Sequence, residues 1–174
     1  MGGPPDPSSN MAQTPDPDFD PTTHRMAHQR WFEDFTTGER YVLPSRTVTD
    51  AHFAAFQALS GDNHPIHYDA PYCERQGHRS LLAHGLQVMC FTAAGAGSFP
   101  HEVSDALIAF VDQTSRFLAP VYLGDTLYPA LEVETLTAQR STGVLTMRTT
   151  VHNQNRIRVL DGQHRYLLRR RPDG

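Results

Sequence analysis

The stretch SGDNHPIHYD, residues 60–69, concentrates side chains that could carry out acid–base chemistry. Asp62 and His67 lie five residues apart, and Pro65 stiffens the loop between them, so both side chains could converge on one small volume. A carboxylate and an imidazole that share one water form a general acid/base pair, because imidazole exchanges a proton near neutral pH. The alternative is structural: Asp62 caps local backbone amides, and His67 packs against the next helix. The spacing alone leaves both interpretations open.

A second chemical element is the tripeptide Ala83-His84-Gly85, which is predicted to begin a buried helix. The first-turn amides of a helix have no partner within the helix and lie at its positive end, and a glycine leaves its N–H accessible. Such an amide could stabilise an oxyanion that develops on a substrate carbonyl. The alternative is that Gly85 only permits close contact between the helix and a sheet. Together with an acid/base pair, the amide would suit proton abstraction next to a carbonyl or addition of water to a conjugated double bond.

A metal site is a further interpretation of the histidines. None of the histidines near the polar loop has a partner at the i, i+4 spacing of a helical zinc site, and neither cysteine has a zinc-like partner spacing. The side chains that could supply ligands are Asp62, His64, His67, Asp69, His78 and His84. The sequence therefore predicts that no metal is bound.

The composition is that of a globular protein with one domain. The 174 residues are 39% hydrophobic and 20% charged, enough for one core and too few for two domains of ordinary size. A net charge of −4 leaves no global positive field that would attract nucleic acid or an anionic membrane. The two cysteines form no disulfide framework, and neither a transmembrane run nor a signal-peptide pattern is present, so a cytoplasmic protein is expected.

Hydrophobic periodicity and turn signals predict the helices and strands that must position these groups. Residues 1–29 contain six of the 13 prolines and one aromatic residue, which predicts a disordered tail before a single domain at residues 30–171. Thr49 can cap a helix that ends at Gly61, and Asp69 can cap a shorter second helix.

The second half of the domain combines one apolar helix with a run of strands. Residues 81–99, LLAHGLQVMCFTAAGAGSF, are almost uncharged and apolar on several faces, which predicts a long, buried central helix. Four strand patterns follow residue 105, with turn signals at Gly124-Asp125, residues 141–143 and Gln154-Asn155. Consecutive strands after one buried helix predict an α+β fold, a curved antiparallel sheet wrapped around that helix.

Four motifs, in this order, resemble the MaoC-like dehydratase, or (R)-specific enoyl-CoA hydratase, family: WFEDFTTGE, SGDNHPIHYD, LLAHGLQV and RFLAPVYLGDTLYPALEV. The resemblance covers residues 31–168, and the second motif is close to the family pattern S/T-G-D-x-N-P-x-H. The family fold is a hot dog, a curved antiparallel sheet around one long helix, which agrees with the fold predicted from the patterns.

The resemblance implies reversible hydration of a trans-2-enoyl-CoA to a (3R)-3-hydroxyacyl-CoA, with no cofactor or metal. It assigns binding and activation of the water to Asp62 and His67, and it makes the Gly85 N–H the donor to the thioester carbonyl. The residues expected to line the substrate site are His64, Ala83 and His84. The resemblance also implies a homodimer, or a higher oligomer of dimers, with the acyl-CoA channel along the subunit interface.

One residue departs from the family pattern. His64 stands where the pattern has asparagine, and Asn63 lies one position early. The asparagine is implied to help hold the catalytic geometry. His64 can also donate one hydrogen bond and could replace it, or it could shift the pKa of Asp62 or His67.

Two other functions stay open for a chain of this fold. A hot-dog thioesterase would use a carboxylate near the start of the helix, but residues 85–99 contain no Asp or Glu. A non-catalytic acyl-CoA-binding subunit would keep the fold without the chemistry, and the presence of both Asp62 and His67 argues against it.

Overall fold

Four long strands build most of the sheet, as the patterns after residue 105 predict. They are β3 (Leu107–Phe117), β4 (Thr126–Ala138), β5 (Thr142–Asn153) and β6 (Arg158–Arg169). Two short strands, β1 (Arg40–Val42) and β2 (Arg46–Thr47), pair with β4, and the order across the sheet is β1-β4-β5-β6-β3. All pairs are antiparallel. The computed structural model describes residues 15–172, and it confirms the α+β class.

The predicted tail, residues 1–29, lies partly outside the described residues. The end of the tail contacts the domain through Arg25 and Gln29. Arg25 Nη1 lies 2.6 Å from Asp105 Oδ2, and Gln29 Oε1 accepts a hydrogen bond from the backbone N–H of Asp105. The division of the chain at residue 30 stays a prediction.

Two capped helices precede and follow the polar loop. Helix α1 (Asp50–Ser60) begins after Thr49 and ends at Gly61, whose φ of 71° lies in the left-handed region. Helix α2 (Ala70–Arg75) begins at Asp69, whose carboxylate accepts the Tyr72 N–H at 2.9 Å. Both predicted caps are confirmed. None of the helices in the described part of the chain combines the length and apolarity needed to cross a membrane.

The continuous helix predicted over residues 81–99 is wrong, because the structure breaks it. Its pieces are α3 (Gly85–Cys90), a 3₁₀ turn (Ala94–Ala96) and α4 (Phe99–Glu102). Ala93 has ψ of 115°, outside the helical range, and the two glycines that follow have low helix propensity. A Cβ at Gly97 would lie 2.7 Å from Leu43 Cδ2, so a larger residue here would require the Leu43 side chain to shift. Apolar patterning predicts the burial of the segment but not this bend.

An apolar cluster fixes the helices of the site to the sheet. It joins Phe53 of α1, Val88 of α3 and Phe91, which directly follows α3, to Leu127 of β4 and Leu160 of β6. These side chains are all at least 97% buried, and burial of each stabilises the fold by roughly 1.5–3 kcal/mol. The cluster therefore holds α1 and α3 in place on either side of the polar loop.

Candidate active site

The loop between α1 and α2 is hydrogen-bonded to the segment that enters α3. The Leu82 N–H donates to the Ile66 carbonyl at 3.1 Å, and His67 Nδ1 lies 2.6 Å from the Leu82 carbonyl oxygen. Because a carbonyl oxygen only accepts, Nδ1 carries the hydrogen, and Nε2 of neutral His67 has a free lone pair. The Ala83 N–H donates in turn to the Val121 carbonyl at 2.8 Å. The polar loop is therefore held by residues 82–83, which are themselves hydrogen-bonded to the segment before β4.

Asp62, His67 and His84 converge on one small volume. A carboxylate oxygen and one ring nitrogen from each histidine all lie within 4.8 Å of one another. The two rings are stacked, with centroids 3.6 Å apart and planes at 21°, and His84 Nε2 lies 3.9 Å from Asp62 Oδ2. The side chain of His84 is 3% exposed and that of Asp62 is 47% exposed. The group thus extends from the interior to solvent, with His84 on its buried side.

The surroundings of Asp62 and His67 shift both pKa values downward. The backbone N–H of His64 donates to Asp62 Oδ1 at 3.1 Å, and this hydrogen bond keeps the pKa of Asp62 below its ordinary value of 3.8. Burial lowers the pKa of His67 below its ordinary value of 6.5, against the opposing effect of its bond to Leu82. At neutral pH the carboxylate is therefore ionised and the imidazole neutral, the forms that a water-activating pair requires.

Two residues that sequence reasoning missed hold His84. The Tyr68 hydroxyl lies 3.1 Å from His84 Nε2, and Gln87 Oε1 lies 3.3 Å from both the backbone nitrogen and Nδ1 of His84. The buried amide nitrogen of Gln87 has no hydrogen-bond partner within residues 15–172, which costs on the order of 1–3 kcal/mol. The signal for Gln87 was a polar residue in an almost uncharged segment, three positions after His84. Tyr68 offered none beyond its place next to His67.

The other predicted metal ligands lie apart from this group. His64 is exposed, its Nδ1 accepts the Ile66 N–H at 3.3 Å, and its ring centroid is 6.3 Å from that of His67. Asp69 caps α2, and His78 Nδ1 lies 3.2 Å from the Tyr122 hydroxyl. Among the described residues, the three converging side chains are the set whose spacing could also hold a metal ion.

A groove of about 430 Å³ opens beside the first residue of α3. The residues along it include Ala83, Gly85, Val88, Phe117, Leu118 and Val121. The Gly85 N–H has no acceptor among residues 15–172, so it is available to a carbonyl oxygen of a ligand. A Cβ at this position would lie 3.0 Å from the Phe117 ring. The glycine therefore permits a close contact with Phe117, and its amide is free, but the role of that amide toward a substrate stays a prediction.

The sequence is similar to proteins named as hydratases and dehydratases. The MaoC like domain family model matches residues 34–155, which include every residue of the site described above. An (R)-specific enoyl-CoA hydratase from Rhodospirillum rubrum is 27% identical over 133 residues, which is 76% of this chain and 88% of that protein. A 3-hydroxybutyryl-CoA dehydratase from Methylorubrum extorquens is also 27% identical over 133 residues, which is 76% of this chain and 80% of that protein.

The fold is similar to that of a solved Mycobacterium tuberculosis protein with a double hotdog fold. The two chains are 26% identical, with a TM-score of 0.71 over 84% of this chain and 46% of that one. The hot-dog fold is therefore confirmed, with an interrupted helix in place of the continuous one. Because the family model spans well over half of the sequence, the chain belongs to the MaoC-like domain family.

Proposed function

We propose that the protein adds water reversibly to a trans-2-enoyl-CoA and forms a (3R)-3-hydroxyacyl-CoA. The observation that carries the proposal is the convergence of an ionised Asp62 and a neutral His67 next to the chain segment that presents the free Gly85 N–H. The names of the two relatives, an (R)-specific enoyl-CoA hydratase and a 3-hydroxybutyryl-CoA dehydratase, support the reaction type, the thioester substrate and the R configuration.

In the hydration direction, a water bound between Asp62 and His67 gives a proton to His67 Nε2 while its oxygen bonds to C3 of the substrate. The C2=C3 electron pair moves toward C2, and negative charge develops on the thioester oxygen, where the Gly85 N–H stabilises it. The carbonyl re-forms as the proton passes from His67 to C2. The net change is the addition of one water across the double bond. Ala83 borders the groove beside Gly85, while His64 and His84 flank the pair.

The reaction is tested with crotonyl-CoA, whose enoyl thioester absorbance falls on hydration. Asp62→Asn and His67→Ala are each expected to lower kcat by about a hundredfold to ten-thousandfold, because each removes one member of the acid/base pair. Asp69→Asn and His101→Ala are the matched controls, since Asp69 caps α2 and His101 is exposed on α4. Both controls are expected to keep wild-type turnover, and chiral analysis of the product should give the R alcohol.

Other outcomes of this assay identify the alternatives. Release of free thiol without loss of the double bond would mean a thioesterase, and binding without turnover would mean a non-catalytic subunit. Near wild-type turnover in folded Asp62→Asn or His67→Ala would refute the assigned roles.

The activity is expected to fall as the pH is lowered, because protonation of His67 removes the base. Since burial lowers the pKa of His67, the midpoint of the acid limb of kcat/KM should lie below pH 6.5. Asp62 stays ionised over this limb, because its pKa lies below 3.8. A pH–rate profile from pH 4 to 8 measures the midpoint, and a value above 6.5 would contradict a neutral His67 as the base.

The proposed chemistry requires no cofactor and no metal. Turnover of crotonyl-CoA is therefore expected to be unchanged after dialysis against EDTA, because Asp62 and His67 activate the water themselves. The control is the same protein dialysed without chelator. Loss of activity that Zn²⁺ restores would instead assign Asp62, His67 and His84 as metal ligands.

The protein is also proposed to act as a homodimer through strand β3, which lies at the edge of the sheet. The apolar side chains at this edge, each between 43% and 52% exposed, are Ile108, Phe110, Val111, Phe117 and Leu118. An exposed apolar edge strand favours pairing with another strand. A second copy paired along β3 would continue the sheet and cover one wall of the groove beside Gly85.

Charge on this edge should separate the proposed dimer. Ile108→Lys and Val111→Lys are expected to shift the sedimentation coefficient from dimer to monomer, because lysine on an edge strand opposes pairing. Ile157→Lys changes an isoleucine of similar exposure in the turn between β5 and β6, and it should leave the dimer intact. Wild-type protein that sediments as a monomer would refute the proposal.

A further inference from the structure

Gln87 is a buried polar residue in the first turn of α3, and its side chain is directed at His84. Its Oε1 accepts the backbone N–H of His84 and lies 3.3 Å from Nδ1 of the same residue. The backbone N–H can only donate, so the oxygen of the Gln87 amide must face it, and the amide orientation is determined. An amide oxygen can only accept, so His84 Nδ1 must carry the hydrogen.

The position of that hydrogen determines what His84 presents to the site. With the hydrogen on Nδ1, the Nε2 of neutral His84 is an acceptor, and the Tyr68 hydroxyl donates to it at 3.1 Å. Nε2 is also the atom that lies 3.9 Å from Asp62 Oδ2. The opposite tautomer would place the lone pair of Nδ1 against the lone pairs of Gln87 Oε1. The ring would then lose one of its two hydrogen bonds.

Apolar packing alone does not account for a glutamine at this position. The Gln87 side chain is 3% exposed, and its amide nitrogen is buried without a partner among the described residues. Its neighbours in α3 include the apolar Leu86, Val88 and Met89. A methionine at residue 87 would fill a similar volume and remove the unpaired amide nitrogen, but it would leave the backbone N–H and Nδ1–H of His84 without their acceptor.

We propose that Gln87 is a positioning residue that fixes the tautomer and ring orientation of His84, so that Nε2 of His84 is presented as an acceptor beside Asp62. This inference rests on the proposed hydratase function for its effect on catalysis, but the tautomer itself is a property of the free protein. Because the His84 ring is stacked on that of His67, fixing one ring also restricts the tilt of the other.

Two substitutions separate positioning from packing. Gln87→Met removes the acceptor and keeps the volume, whereas Gln87→Glu keeps an oxygen that faces Nδ1. Leu86→Met, at an exposed neighbour on the same helix, is the matched control. Nitrogen chemical shifts of the histidine rings report the tautomer, and crotonyl-CoA kinetics and thermal unfolding are measured on the same samples.

The Nδ1–H form of His84 is expected in the wild type, in Leu86→Met and in Gln87→Glu, and its loss is expected in Gln87→Met. Gln87→Met should lower kcat of the folded protein by about tenfold or more with little change in KM. Its melting temperature is expected to fall as well, because the backbone N–H of His84 loses its acceptor. Gln87→Glu should retain more of kcat than Gln87→Met does at a temperature where both are folded, whereas a purely structural role would leave kcat of folded Gln87→Met at the wild-type value.

The inference is wrong if Gln87→Met keeps the Nδ1–H form of His84, or if it loses that form and still turns over at the wild-type rate. Should Gln87→Met fail to fold, an Nε2–H tautomer of His84 in the wild type or in Gln87→Glu overturns the inference in the same way. A wild-type protein that does not hydrate crotonyl-CoA would refute the proposed function, while the ring shifts would still decide whether Gln87 sets the tautomer.

Discussion

The hydrogen bond from His67 Nδ1 to the Leu82 carbonyl is the contact on which the geometry of the site depends. At 2.6 Å it joins the loop after α1 to the segment that enters α3, and it also decides which nitrogen of His67 has a free lone pair. Leu82 lies in a stretch that is itself bonded to residues 121–123, through the Ala83 and Leu123 amides. This one hydrogen bond thus fixes the orientation and tautomer of the His67 ring and links them to the segment that leads into α3.

The two groups of the acid/base pair require opposite surroundings, although they are five residues apart. Partial burial keeps the His67 ring neutral, and the same burial around Asp62 would have favoured the protonated carboxyl. Asp62 instead lies at the open end of the group and receives a backbone N–H, so it stays charged. The 3₁₀ turn over Pro65–His67 marks the change between the two environments, because residues 61–64 are exposed and residues 65–68 are half-buried. The difference in exposure therefore follows from the shape of one short loop.

Features that depend on nearby residues were predictable from the sequence, and features that depend on tertiary contacts were not. The caps at Thr49 and Asp69 involve residues within three positions, and the strand patterns record which face is buried. The bend in the central segment brings Gly97 close to Leu43, a tertiary contact that no periodicity contains.

Within the site, the sequence predicted which residue types could act but not how they are supported. The partners of His84, Tyr68 and Gln87, depend on which side of α3 meets the loop, and that is decided by the packing of α1 and α3 on the sheet. The catalytic role of each site residue stays a prediction, and so does the cytoplasmic location.

At residue 64 the site uses the backbone more than the side chain. The carboxylate of Asp62 takes its hydrogen bond from the backbone N–H of His64, which every residue except proline possesses. The imidazole itself supplies an acceptor for the Ile66 N–H, and a short oxygen-bearing side chain such as Asn, Asp, Ser or Thr can do the same. Asparagine is therefore one of several ways to build this turn. A search pattern that demands asparagine here would overlook chains that build the same turn with another acceptor, whereas one that admits any short acceptor and excludes proline would follow the physical requirement.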